Sequence, residues 1–338
     1  MIEQETYPDI AVVIIGINAE RYISECITSV LEAEYPSDKL HIVFADGGSN
    51  DRSVELAKGF EGIHVVELKD PFPTPGKGRN AGFHVVRYPL FQFLDADTIL
   101  HPEWFKKALP YMKDNVAAVC GTRKERYPDK NFYHTIGNIE WRYEEGPCRY
   151  FGGEALIQRD VLDQCGGYDE DLVAGEDPDL SYRIRQKGWI IYRIKEEMTT
   201  HDLNMTRFRQ YLKRAFRTGH AYAEIGLRYA RNKEKMWVRE LLRITAGVCV
   251  PWLILILSAV IGNFCLGLIL AFVTAFRPLW KTFRFKREFN LTTPAAFLYA
   301  LHLSFVIYPQ FAGVLRYIYT LIAGSPLRNK GYIPEGNV

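Results

Sequence analysis

The hydrophobic positions in the first half of the chain fall into short runs of two periods. Ile10–Ile15 (IAVVII) is a β-branched run of strand length, and Ile23, Ile27, Val30 and Leu31, within Glu20–Leu31, then share one helical face. His41–Ala45 repeats the strand pattern before the turn-rich DGGSND and a helix over Ser53–Lys58. His64–Leu68 repeats it again, ahead of a Pro/Gly loop. A further strand, Leu90–Leu94 (LFQFL), runs directly into Asp95-Ala96-Asp97, with a helix expected from near Pro102. Alternating strands and helices predict an α/β fold with a mostly parallel sheet and helices on both faces. Ligands in such sheets bind beyond the carboxyl ends of the strands, where Asp95 and Asp97 fall.

The pattern loosens over Val116–Arg159, which is rich in aromatic residues, and then gives helices at Asp160–Gly166 and Asp179–Lys187 and a last strand near Trp189–Ile194. Soluble organisation is expected to end around His201. Beyond it, Arg207–Arg243 carries 11 basic and 3 acidic residues interleaved with aromatic and aliphatic ones, a composition suited to a membrane–water interface. Ile244–Phe276 follows with 33 residues and no charge. One straight helix of that length would reach about 50 Å across a hydrocarbon core of about 30 Å. A hairpin turning near Gly262-Asn263 fits better, and it keeps both basic flanks on one side as the positive-inside rule requires. Ala295–Ile322, interrupted by His302, Pro309 and Arg316, is a further span or a broken pair, ending before Arg328 and Lys330. The expected organisation is an α/β domain over 1–206, an interfacial segment over 207–243, membrane helices over 244–324 and a tail over 325–338.

Composition supports this division. Of 338 residues 48% are hydrophobic and 24% charged, a balance that excludes a disordered chain and suits about two domains. The formal net charge of +2 conceals a split: residues 1–206 hold 23 basic and 35 acidic side chains, residues 207–338 hold 19 and 5. An acidic front half repels polyanions unless cations intervene, so nucleic acid is not an expected partner, whereas the basic, apolar rear half suits an anionic lipid surface. Cys26, Cys120, Cys148, Cys165, Cys249 and Cys265 form no CxxC pair and read as reduced thiols, neither a disulfide framework nor a zinc site. MIEQETYPDI lacks a secretory signature, so the front half is expected in the cytoplasm of a multi-pass membrane protein.

The chemistry lies in an ordered set of motifs. Asp95-Ala96-Asp97 offers two carboxylates that can share a divalent cation bridging a diphosphate; a solvated turn or a helix cap is the plainer alternative. Around it stand Asp46-Gly47-Gly48-Ser49-Asn50-Asp51, Gly76-Lys77-Gly78-Arg79-Asn80-Ala81-Gly82, Gly152-Gly153 and Gly175-Glu176-Asp177. Glu176 and Asp177 read equally as N-terminal charges on the helix that follows them.

Taken in order over Ile10–Asp177, these motifs resemble the family 2 inverting glycosyltransferases of the GT-A fold, including members with C-terminal transmembrane helices. The resemblance implies transfer of a sugar from a nucleotide diphosphate, with UDP-sugar as the expected donor, to a lipid-linked or polysaccharide acceptor. It implies a divalent cation, Mg or Mn, held by Asp97 with Asp95, which contacts ribose or metal, and completed by His201. Asp177 matches the catalytic base and Glu176 a residue that orients the acceptor. Asn18 and Asp46 match the nucleoside site, with uracil the usual base. Lys77 and Arg79 face the diphosphate in this reading, and Arg214 and Arg217 match a segment that holds the diphosphate or a lipid phosphate. A polyprenyl-phosphate acceptor is one variant. A membrane scaffold or transport protein with a sugar-nucleotide-binding domain is the alternative from another class, and a nucleotidyltransferase is disfavoured because its phosphate loop would follow the first strand, where IGINAE stands. Three departures bear on sugar identity: Gly16-Ile17-Asn18 lacks the usual proline, Gly47 replaces the second acid of the turn, and Glu154 follows the paired glycines where hydroxyls would be read.

Overall fold

A computed structural model describes residues 7–324, so the tail over 325–338, with Arg328 and Lys330, lies outside the described residues, as do the first six. The chain divides into two units, residues 7–126 with 141–203, and residues 127–140 with 204–324.

The first unit runs β1 (Ile10–Gly16), α1 (Ile23–Leu31), β2 (Leu40–Asp46), α2 (Ser53–Lys58), β3 (His64–Glu67), α3 (Pro75–Val85), β4 (Leu90–Asp95), β5 (Thr98–Leu100), α4 (Trp104–Ala108) and β6 (Val116–Glu125). After α5 (Phe132–Glu140), which belongs to the second unit, it resumes with β7 (Gly146–Pro147), β8 (Ala155–Gln158), α6 (Arg159–Cys165), α7 (Glu176–Gln186) and β9 (Ile190–His201). The strands form one sheet in the order β3-β2-β1-β4-β8-β6-β9-β5, with β7 beside β9. β1, β2, β3 and β4 are mutually parallel, β6 and β9 share their direction, and β5, β7 and β8 run the other way. The sheet is therefore mixed and mostly parallel. Phe91, Phe93 and Trp104 are fully buried in its core, each contributing roughly 1.5–3 kcal/mol.

Register sets the site. Asp46 lies opposite Gly16, and Asp95 opposite Ile15, so the two acids flank the carboxyl end of β1. With strands about 4.8 Å apart their backbones stand about 10 Å from one another. A Cβ on Gly16 would sit 2.7 Å from the Cβ of Ala96, so small residues at both positions let the acidic triplet close over β1.

The glycine-rich stretch expected as a loop is the helix α3. Thr74 caps it by accepting the Lys77 N–H at 3.2 Å, and Pro75 supplies the fixed φ of the first turn. Its glycines face β1: a Cβ on Gly82 would overlap Val13, and one on Gly78 would lie 3.3 Å from Ile15. Close helix-to-strand approach, rather than loop freedom, is what these glycines supply. The last strand also runs on past Ile194 to His201, and α7 starts at Glu176 rather than Asp179.

In the second unit α5 is joined by α8 (Phe208–Arg228), α9 (Val238–Ile261), α10 (Phe264–Glu288), α11 (Thr293–Phe305) and α12 (Ile307–Ala323). Val238–Ile261, Phe264–Glu288 and Thr293–Ala323 are each long and apolar enough to cross a bilayer. They present large apolar side chains outward, Val260 being 77% and Phe264 73% exposed, as a lipid-facing surface requires and water would penalise. These helices make the chain a multi-pass membrane protein. Between α9 and α10 the chain turns at Gly262, in the left-handed region (φ 70°), and at Asn263. The Ser258 hydroxyl fastens the turn, donating to the Asn263 carbonyl at 2.6 Å and accepting the Gly267 N–H at 3.1 Å. α8 and α12 cross at Gly219 and Gly313, where any Cβ would overlap the backbone of Gln310 or Phe216.

Candidate active site

Asp46 closes its turn on itself. Its Oδ2 accepts the N–H groups of Gly48 (2.9 Å) and Ser49 (2.8 Å), and its Oδ1 the Ser49 hydroxyl. The loop after β1 is zipped to this turn: Asn18 donates its N–H to the Ser49 Oγ at 2.7 Å and accepts the Asn50 N–H at 2.9 Å, and Ala19 donates to Ser53 at 2.7 Å. Asn18 sits at φ 52°, a conformation asparagine tolerates. Asn18 and Asp46 thus belong to one rigid wall at the ends of β1 and β2.

The centre of the unit is a buried knot around Arg79, which is 1% exposed. Its Nη1 donates to Glu176 Oε1 at 2.9 Å and lies 3.8 Å from Asp177 Oδ1, while its Nη2 donates to Asp95 Oδ1 at 3.0 Å and to the Gly153 carbonyl at 3.1 Å. Asp177 Oδ2 accepts the Gly153 N–H at 2.8 Å, and its Oδ1 is buried with no hydrogen-bond partner. Burial pushes the Asp177 carboxyl up to about 7, and the Glu176 and Asp95 charges add to that push against the opposing pull of Arg79 and the Gly153 N–H. Arg79, assigned to the diphosphate on sequence grounds, instead spends both terminal nitrogens on these protein groups. Lys77 turns away as well, pairing through Nζ with Asp70 at 2.5 Å.

Beside the knot, Asp97 Oδ1 meets His201 Nε2 at 3.2 Å, and the His201 Nδ1 is buried without a partner. Burial alone would raise the Asp97 carboxyl and lower His201. Their mutual attraction outweighs it and moves each the other way. The Asp97 side chain stays 39% exposed and that of Asp95 31%, so both open outward while Glu176 and Asp177 lie behind them. Asp95, Asp97 and His201 carry oxygen and nitrogen donors of the kind a hard or borderline divalent cation takes, and of these Asp97 and His201 are in contact.

Three further contributors complete the site: Gly153 and Asn80 stand in motifs already singled out, and Arg123 carries no signal in the sequence. Gly153, at φ 76°, gives its N–H to Asp177 and its carbonyl to Arg79, and only glycine fits: a Cβ there would lie 2.7 Å from Arg123 Nη2 and 3.1 Å from Asp95 Oδ2. Arg123, on β6, donates to the Gly152 carbonyl at 2.8 Å and pairs with Glu154 at 3.0 Å. Asn80 pins the segment after α6, bonding the Tyr168 carbonyl and N–H at 2.9 and 2.8 Å. Glu154 corrects an expectation, because it is wholly buried between Arg123 and Thr199 and cannot read sugar hydroxyls.

Arg214 and Arg217 lie on α8, in the second unit. There Tyr211 Oη meets His302 Nδ1 at 2.9 Å, and His302 Nε2 meets Glu140 at 3.1 Å. Burial would raise Glu140, yet the His302 hydrogen bond and the charges of His302, Arg214 and Arg243 hold it below the usual carboxylate value.

With this geometry in place, comparison with known proteins is decisive. A model described as glycosyl transferase family group 2 matches residues 90–309, well over half of the chain, and one for glycosyl transferase family 2 matches residues 11–168. The chain belongs to the family 2 glycosyltransferases. Among curated relatives of this glycosyltransferase, AglE of Haloferax volcanii is 22% identical over 65% of this chain and 75% of its own length. The probable glycosyltransferase YdaM of Bacillus subtilis is 27% identical over 54% of this chain and 48% of its own, so the chain spans only about half of some relatives it matches. Among solved structures, the mannosyltransferase PcManGT of Pyrobaculum calidifontis, in complex with GDP-Man and Mn2+, superposes with a TM-score of 0.62 at 16% identity, covering 93% of this chain and 90% of that one. A Staphylococcus aureus TarS fragment gives 0.53 at 14% identity, covering 87% and 91%. At these identities the likeness is one of fold, the GT-A architecture.

Proposed function

We propose that this glycosyltransferase moves a sugar, with inversion, from a nucleotide diphosphate to a lipid-linked or polysaccharide acceptor held at the membrane. The observation that carries this reading is Asp177: a buried carboxylate ionising near pH 7, with one oxygen unpartnered, in the same knot as Asp95. A base poised near the working pH suits removal of the acceptor proton as its oxygen attacks the anomeric carbon. Glu176, whose carboxylate is held by Arg79, orients the acceptor. Asp97, Asp95 and His201 are the residues that would hold a divalent cation, which when bound supplies charge neutralisation to the leaving diphosphate. Asn18 and Asp46 form the wall against which the nucleoside rests, UDP being the donor nucleotide that the family resemblance implies. Arg79 keeps Asp95, Glu176 and Gly153 in place, Lys77 braces α3 through Asp70, and Arg214 and Arg217 offer positive charge to a phosphate.

The basic residues flanking α9 and α10 favour the cytoplasm for the first unit under the positive-inside rule. Tethering a transferase beside the bilayer raises its effective concentration over an acceptor that cannot leave it. The proposed domain limits follow the same logic, with 1–206 carrying the chemistry, 207–243 the interface and 244–324 the anchor. The test is a panel of nucleotide sugars offered to the purified protein with a membrane extract as acceptor. Labelled product with one donor, lost in Asp177→Asn, supports the reading; binding of a donor with neither transfer nor release of nucleoside diphosphate would make the chain a binding module.

A further inference from the structure

Outside that site, Cys120 and Cys148 bring their sulfurs to 4.0 Å across the sheet. Cys120 is on β6, in register with Arg193 of β9, and Cys148 follows β7, its N–H donating to the Ile191 carbonyl at 2.8 Å. Arg193 Nε donates to Cys120 Sγ, 3.4 Å away, and the residue is 7% exposed. Its Nη2 donates to the Tyr150 carbonyl at 3.0 Å, and its plane lies over the Tyr143 ring at 3.8 Å. A fixed cation against one thiol of a close pair is an arrangement that sheet packing does not need. Cys26 shows the contrast: equally buried, it faces the Asp97, Glu154 and Asp95 charges, and burial with those charges raises its thiol far above the ordinary value.

We infer that Cys120 and Cys148 form a thiol modification site for small hydroperoxides, closing to an intramolecular disulfide. Cys120 is the reacting thiolate and Cys148 the resolving thiol. The contact with Cys148 and the Arg193 guanidinium, whose Nε donates to Cys120 Sγ, outweigh burial and hold the Cys120 thiol below its ordinary value. Cys148 is held up by its contact with Cys120 and by burial. The thiolate attacks one peroxide oxygen, the O–O bond breaks, and hydroxide leaves while the sulfur becomes a sulfenic acid. Cys148 sulfur then attacks Cys120 sulfur; the S–O bond breaks, and the thiol proton leaves with the oxygen as water. The protein loses two hydrogens and the peroxide becomes two waters in all. Closing from 4.0 Å to about 2.0 Å needs movement. Cys148, partly exposed and next to the two-residue β7, is the solvent side of the pair, and the oxidant must reach the buried Cys120 past it.

The experiment treats the full chain in detergent with hydrogen peroxide, alkylates free thiols and maps them by mass spectrometry. The expected product is a reducible Cys120–Cys148 crosslink, with Cys26 and Cys165 still alkylated. Cys148→Ser should instead accumulate a sulfenic acid on Cys120 that dimedone captures, and Cys120→Ser should form no crosslink. Replacing Arg193 with Met should slow the reaction of Cys120 at pH 7 roughly tenfold, by lowering its thiolate fraction. Alkylation of both thiols after peroxide, or crosslinking that proceeds as fast without Arg193, would overturn the proposal.

Discussion

Arg79 and Glu176 are 97 residues apart in the chain and meet Nη1 to Oε1 at 2.9 Å, both side chains out of contact with water. Through this pair the helix packed on β1 is tied to the first turn of α7, where Asp177 sits. One guanidinium faces three carboxylates, and burial, with the Glu176 and Asp95 charges adding to it, is what leaves Asp177 proton-hungry.

Asp177→Asn should reduce transfer by a factor of about a thousand or more, in the range seen when a positioned proton acceptor and its charge are both lost. The same change should not destabilise the fold above pH 7. The folded-state pKa of Asp177 is raised, so its favourable contribution is complete below the unfolded value near 4 and is lost as pH climbs through about 7. The Asn variant escapes that loss. Thermal melts at pH 8 should place it at or above the wild type, and a melt several degrees lower would contradict the electrostatic account.

The pH dependence of kcat/KM should show an acidic limb near 7, with activity rising as Asp177 loses its proton. Glu176→Gln removes a neighbouring negative charge and frees Arg79 Nη1 for Asp177, and both changes stabilise the carboxylate. The limb should therefore move to lower pH even as the maximum rate falls. A limb that stays in place would detach it from Asp177.

Gly153→Ala tests the backbone. The substitution strains a φ of 76° and drives a methyl toward Arg123 and Asp95, so a loss of about 1–3 kcal/mol is expected. Denaturant titration measures it. Transfer should fall by more than stability alone explains, because the Gly153 N–H that aims Asp177 is displaced.

Asp97→Ala should weaken manganese binding at least tenfold, read by calorimetry without any donor present. Wild type should melt higher with added manganese, and the variant should not, since a ligand bound only to the folded state stabilises it by mass action. Equal shifts in both proteins would remove Asp97 from the ion's shell.

Gly219→Ala probes the second unit alone. Its Cβ has no room against the Gln310 backbone, so α8 and α12 must separate. A lower melting temperature in detergent is expected, whereas Gly262→Ala, at an open turn, should show only the milder effect of its left-handed φ.

The strands that carry Asp46 and Asp95 were legible as short apolar runs of strand length that end in an acid, and the membrane segments as long stretches without charge. The glycine helix was not. Glycine is read as a breaker, and what reverses its meaning, the side chains of Val13 and Ile15 pressed against α3, comes from a strand more than 60 residues earlier. Arg79 was found as a residue through the family resemblance, but its contacts with Glu176, Asp95 and Gly153 are tertiary and leave no local mark in the sequence. Arg123 sits in an unremarked strand, and its pairing with Glu154 is purely tertiary. The extension of β9 to His201 follows from pairing with β6 and β5, which a run as polar as Lys195–His201 gives little sign of alone.

The knot around Arg79 also bears on the order of events. Three acids against one guanidinium leave it with an uncompensated negative charge once Asp177 ionises, in a setting where water screens poorly. A bare diphosphate arriving there meets like charge, whereas one that comes after a cation, or with it, meets an attractive field. Steady-state kinetics should therefore be sequential, with the ion added before or together with the nucleotide sugar and never after it.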